Sequence, residues 1–85
     1  MNISKAEQRV LHVLAQGGAI RHRRGEDGRL VEALCVTRDG FILAGTGLSL
    51  FHRLRRRGFI ASHGGAPYRI TPAGLRAVRA QLDNR

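Results

Sequence analysis

Acid is what this sequence lacks over half its length: from Gly40 to Leu82 there is no aspartate or glutamate, while seven arginines fall in the same stretch. Four of them, Arg53, Arg55, Arg56 and Arg57, crowd into one short segment. A surface of one sign repels itself, so a chain that keeps one is suited to a negative counterpart, either nucleic acid or an acidic protein surface. Cysteine is reduced to Cys35, flanked by Leu34 and Val36, which excludes an internal disulfide and a cysteine metal cage and marks a small buried hydrophobe. Tryptophan is absent, and Phe41, Phe51 and Phe59 are all expected in the core. Only Tyr68 is then left as a stacking platform, too little for single-strand binding. No apolar run approaches the roughly 18 residues of a membrane span, and nothing near Met1 resembles a signal peptide. A cytoplasmic location with no membrane partner is expected. No internal repeat or low-complexity segment interrupts the chain.

What is present suffices for a fold. Of the 85 residues, 42% are apolar, and they recur in short periodic stretches, so the formal net charge of +9 belongs to a folded surface and not to a disordered tail. One domain spanning 1–85 is expected, with a net stability of about 5 kcal/mol.

Ser4 followed by Glu7 is the reciprocal capping pair of a helix start. Ala6, Val10, Val13 and Leu14 then share one side with Leu11 beside them, and Gly17-Gly18 stops the helix. Ala19 to Arg23 and Leu30 to Thr37 form a hairpin about Gly25-Glu26-Asp27-Gly28; a four-residue turn sets Arg21 opposite Glu32. Arg38-Asp39-Gly40 turns the chain, and Phe41-Ile42-Leu43 is a short apolar segment of open conformation. Thr46 is placed to cap a second helix from Gly47 to about Arg57, closed by Gly58. At 100° per residue Leu48, Leu50, Phe51 and Leu54 cover one side of it. Ser49, His52, Arg53 and Arg56 line the other, with Arg57 flanking them and the stem of Arg55 along the core edge.

Phe59-Ile60-Ala61 and Tyr68-Arg69-Ile70 make a second hairpin about the turn His63 to Pro67. Thr71 caps and Pro72 opens a last helix, whose Leu75, Val78 and Leu82 form the apolar stripe and whose Arg76 and Arg79 extend the positive surface. Gly74 costs that helix about 1 kcal/mol relative to alanine, which implies a backbone passing close by. The fold class is α+β: helix, hairpin, helix, hairpin, helix.

The run from Leu54 through Gly58-Phe59-Ile60 to Tyr68-Arg69-Ile70-Thr71-Pro72-Ala73-Gly74-Leu75 is similar to that of winged-helix domains. That resemblance implies a winged-helix-like domain in which Ser49, His52, Arg53 and Arg56 face DNA, and His63 and Arg69 on the wing touch its backbone or minor groove. More specifically, Glu7-Gln8-Arg9, Leu11-His12-Val13-Leu14-Ala15, Gly17-Gly18, Thr37-Arg38, Pro67-Tyr68-Arg69-Ile70 and Val78-Arg79-Ala80-Gln81-Leu82-Asp83-Asn84-Arg85 resemble the YjhX family along the whole chain. The resemblance implies a toxin of a bacterial toxin-antitoxin pair, with inhibition of DNA topoisomerase I as the associated activity. It brings no active-site residues with it. Gly45-Thr46-Gly47 and the dense arginines of the second helix depart from the family pattern.

No catalytic constellation stands out, and an enzyme is not expected. His12, His22, His52 and His63 are never at the i, i+4 spacing of a helical metal site, and Gly45-x-Gly47 lacks the longer phosphate-cradling pattern and its lysine. No metal, cofactor or small-molecule substrate is expected. The alternative catalytic reading takes His52 and Tyr68 with the arginines as an acid, base and charge clamp for phosphodiester cleavage, as in small ribonucleases, and rests only on their sharing the basic half. Like charges at i, i+3 and i, i+4 cost several tenths of a kcal/mol each, so the arginines of the second helix mark Ser49, His52, Arg53, Arg56 and Arg57 as binding residues, to which the winged-helix resemblance adds His63 and Arg69. Carboxylates folded back over them, chiefly Glu26, Asp27 and Asp39, would remove the site. Two functions remain: a non-catalytic inhibitor that binds topoisomerase I or its DNA complex and is countered by an acidic antitoxin, or a winged-helix regulator that binds duplex DNA.

Overall fold

Two glycine-closed helices and two small antiparallel sheets meet on a shared core in the computed structural model, which describes the backbone of residues 3–83 and the side chains of residues 3–80. Asn84 and Arg85, and the side chain of Leu82 in the expected stripe, lie outside the described residues. The elements run α1 (Lys5–Ala15), β1 (Ala19–Arg24), β2 (Leu30–Val36), β3 (Ile42–Leu43), α2 (Leu48–Arg56), β4 (Ile60–Ala61), β5 (Arg69–Ile70) and α3 (Pro72–Asp83). Among the described residues this is a small α+β unit of three helices and two antiparallel sheets.

Helix α1 starts on the capping box: the Glu7 N–H donates to Ser4 Oγ at 3.0 Å and the Ser4 N–H donates to Glu7 Oε1 at 2.9 Å. It ends where Gly17, at φ 102°, lets the Gly18 N–H reach back to Val13 O. Helix α2 ends the same way. Gly58 adopts φ 74°, its N–H donates to Arg55 O, and the Phe59 N–H donates to Leu54 O, so the last carbonyls are satisfied and Phe59 folds back under the helix.

Sheet order is β1-β2-β3, with β4-β5 as a separate pair. The sheets are linked through Ile20 and Tyr68, whose backbones exchange two hydrogen bonds of 2.9 Å. Phe51, Leu54, Leu11, Ile20 and Cys35 are fully buried, with Phe59, Val10, Leu14 and Val78 nearly so. A fully buried Phe or Leu contributes about 1.5–3 kcal/mol, so this cluster holds α1, α2 and the first sheet together. Thr71 joins α2 to α3: its N–H donates to Phe59 O, its Oγ1 donates to Gly58 O at 2.6 Å, and it accepts the Gly74 N–H at 3.1 Å.

Several sequence expectations are corrected. Glu7, not Ala6, is the buried residue on the first turn of α1. Arg21 pairs in register with Leu34, and Glu32 faces Arg23 instead. The turn is longer than four residues, because Gly25 N–H bonds Arg29 O and the ladder shifts by one between Arg23 and Arg24. Thr46 does not cap α2: Gly47 holds the N-cap without a side-chain bond, and Thr46 Oγ1 is buried without a partner. Phe41 is 72% exposed, since pairing Val36 with Ile42 leaves it beyond the edge of the sheet. Tyr68 is buried, edge-on to Phe51 and His22, so it offers neither a stacking surface nor an accessible acid or base.

Candidate functional site

The apolar side of α2, with Leu50, Phe51 and Leu54 buried, fixes which side chains face out. Ser49 and Arg56 are exposed, and His52 and Arg53 are half-buried. Two groups form along the outer face. His52, Arg55 and Arg56 line one open depression of about 380 Å³, with the Arg55 guanidinium held 5.5 Å from the Phe51 ring centroid. Arg53 Nη1 donates to Ser49 Oγ at 3.3 Å on the neighbouring stripe.

Arg57 has a different task. Its Nη1 donates to Glu7 Oε2 at 3.2 Å, with side-chain exposures of 31% and 5%, and its guanidinium lies 4.9 Å from the Phe59 ring centroid. Burial alone would push the Glu7 carboxyl up. The backbone and hydroxyl of Ser4 and the positive charges of Arg57 and Arg53 outweigh that, so its pKa is lowered from the ordinary 4.5. Arg57 therefore binds α2 to α1 through Glu7, 50 residues earlier in the chain. Among the described residues Asp27 pairs with Arg29 and Glu32 with Arg23, and no carboxylate forms an ion pair with Arg53, Arg55 or Arg56.

The remaining expected contacts stand apart from these. His63 is exposed in the turn of the second hairpin, where its carbonyl accepts the Ala66 N–H. Arg69 on β5 turns away to the end of α1, donating from Nη1 to Gly17 O at 3.1 Å and Gly18 O at 3.4 Å. The structure thus brings Ser49 with Arg53 and His52 with Arg56, and gives Arg57 and Arg69 internal partners. Sequence reasoning missed Glu7 as a site neighbour. The only signal was its place in the capping box, which says nothing about a distant arginine.

No helix among the described residues is long and apolar enough to cross a membrane. Comparison with known proteins identifies the group to which this arrangement belongs. Residues 1–85 match the YjhX toxin family, described as "Putative toxin of bacterial toxin-antitoxin pair". The chain belongs to the YjhX family. Its YjhX relatives include UPF0386 proteins from Beijerinckia indica and from Chelativorans, each 59% identical over the full length of both chains. A UPF0386 protein from Rhodospirillum rubrum is 57% identical over 99% of this chain and 93% of its own. No solved structure gives a significant match.

Proposed function

We propose that this chain is a non-catalytic toxin-like protein of a bacterial toxin-antitoxin system that acts in the cytoplasm, inhibiting DNA topoisomerase I by docking on the enzyme or on its DNA complex. The docking face is Ser49, His52, Arg53 and Arg56 on α2, with His63 as an outlying contact. Arg57 and Arg69 hold the elements behind it. The topoisomerase target is what the resemblance to the YjhX family implies. The observation that carries the face is that the guanidinium groups of Arg53 and Arg56 stand on one rigid helix with no carboxylate salt bridge among the described residues. An acidic antitoxin fits the same face by charge.

The test is an Arg53→Gln, Arg56→Glu double variant assayed for growth inhibition and for inhibition of supercoil relaxation by topoisomerase I. Both activities are expected to disappear while the melting temperature stays within a few degrees, because the two side chains take no part in the core. A folded double variant that inhibits relaxation as well as the parent removes α2 from the site.

The second reading is a winged-helix DNA-binding regulator, favoured by the order of α2, the β4–β5 hairpin and its exposed His63 turn. In it, Arg53 or Arg56 reads guanine edges in the major groove. Salt separates the two. Neutralising about four to six phosphates gives a log-log salt slope near −4 to −5 for duplex DNA, whereas docking on the enzyme survives nuclease treatment in a pull-down.

A further inference from the structure

Away from α2, three arginines from three parts of the chain line one open concavity of about 220 Å³: Arg21 of β1, Arg38 of the turn after β2, and Arg69 of β5. None of its lining residues is acidic, and none belongs to α2. The β1–β2 register creates this situation, because Glu32 pairs with Arg23 and leaves Arg21 opposite Leu34. Arg69 is held in place by the Gly17 and Gly18 carbonyls, yet one nitrogen makes those bonds and the rest of its fork of five N–H donors stays available. The stem of Arg38 lies over Gly17, with its Cδ 3.3 Å from where a Cβ on that glycine would stand. In the Thr37–Phe41 turn the Thr37 N–H is bonded to Phe41 O, the Gly40 N–H to Thr37 O and the Phe41 N–H to Thr37 Oγ1. The charged donors open to a ligand are the arginine side chains.

We infer that this concavity is an anion site for a phosphate group, formed by Arg21, Arg38 and Arg69. A carboxylate presents its two oxygens in one plane, whereas a phosphate group presents its terminal oxygens tetrahedrally, so that forks converging from three parts of the chain can each be met; a monoester adds a third terminal oxygen and up to a second charge. The volume lies below the roughly 300–1,000 Å³ of sites for drug-sized ligands, so the site takes a phosphate group alone or one projecting from a larger molecule. It stands independently of the function assigned to α2.

The experiment is amide NMR of the full chain titrated with sodium phosphate against sodium chloride at equal ionic strength. Saturable shifts confined to Gly17, Ala19, Thr37, Gly40 and Arg69 are expected for phosphate only. An Arg21→Gln, Arg38→Gln variant should keep a dispersed spectrum, since both side chains are exposed, and lose about tenfold or more in phosphate affinity, as expected for charge-assisted hydrogen bonds. Titration with a short DNA duplex identifies the source of the phosphate. A parallel loss of duplex affinity in the variant assigns it to a nucleic-acid backbone, and unchanged duplex affinity assigns it to a small phosphate-bearing molecule. Shifts reproduced by chloride, shifts centred on α2, or a variant that binds phosphate like the parent would overturn the assignment.

Discussion

Gly74 lies inside α3, where alanine has the better helix propensity, yet a Cβ there would stand 2.5 Å from the Phe59 carbonyl oxygen. That oxygen already accepts the Thr71 N–H and is fixed by the end of α2, so it has little freedom to move aside. Gly74→Ala is therefore expected to lower stability by about 1–3 kcal/mol, the usual cost of overpacking, read as a lower urea midpoint. An increase would mean that α3 slides at no cost. Cys35 is fully buried, and desolvation pushes its thiol up to about 11. Its labelling by a disulfide reagent at neutral pH should follow global unfolding and accelerate with urea; rapid labelling of the native protein would show local opening of β2. Both residues were legible from sequence, one as a glycine misplaced in a helix and the other as a cysteine in an apolar run. Ala6 and Phe41 misled because hydrophobicity was the only guide to them. Glu7 is buried by its bonds, and Phe41 is exposed by the register of a two-residue strand.

At the scale of elements, the carboxylate that starts α1 also anchors the end of α2. Replacing Glu7 with Ala removes a cap and the buried carboxylate that accepts from Arg57, and about 1–3 kcal/mol should be lost in chemical unfolding. Glu7→Gln keeps the capping geometry and should cost less. The folded pKa of Glu7 lies below its ordinary 4.5, so the unfolded chain binds more protons in that range. The stabilisation is fully present above pH 4.5 and is lost as pH falls through the depressed folded value. Urea midpoints measured between about pH 6 and pH 3 should show this loss in the parent and a shallower one in Glu7→Gln; identical profiles would mean that the pair contributes nothing. Helix α1 and its capping box, the glycine stops and the Thr71 cap could be read from local chemistry. The Arg23–Glu32 pairing could not, because a bulge after Arg23 shifts every later partner and leaves no mark in composition.

For the molecule as a whole, a formal charge of +9 on 85 residues is a destabilising self-repulsion that the three ion pairs among the described residues relieve only in part. Sodium chloride should therefore raise the melting temperature by a few degrees between about 0.05 M and 0.3 M, as screening shortens the reach of surface charge. A fall would show that surface ion pairs outweigh the repulsion. The basic face of α2 was legible as a face, since helical spacing fixes which side chains share a side. Its division into an Arg53–Ser49 stripe and a His52–Arg56 depression was not, because side-chain conformation sets it, nor was the diversion of Arg57 and Arg69 to internal partners, because those contacts lie about 50 residues apart in sequence. Those same long-distance ties govern how the protein is born. Tyr68 seals the edge beside Ile20 and Arg69 seals the end of the first helix, so a ribosome must release nearly the entire polypeptide before its opening third can close. A truncated chain ending before Tyr68 should stay sensitive to protease along that third, while the full chain released from the ribosome should resist.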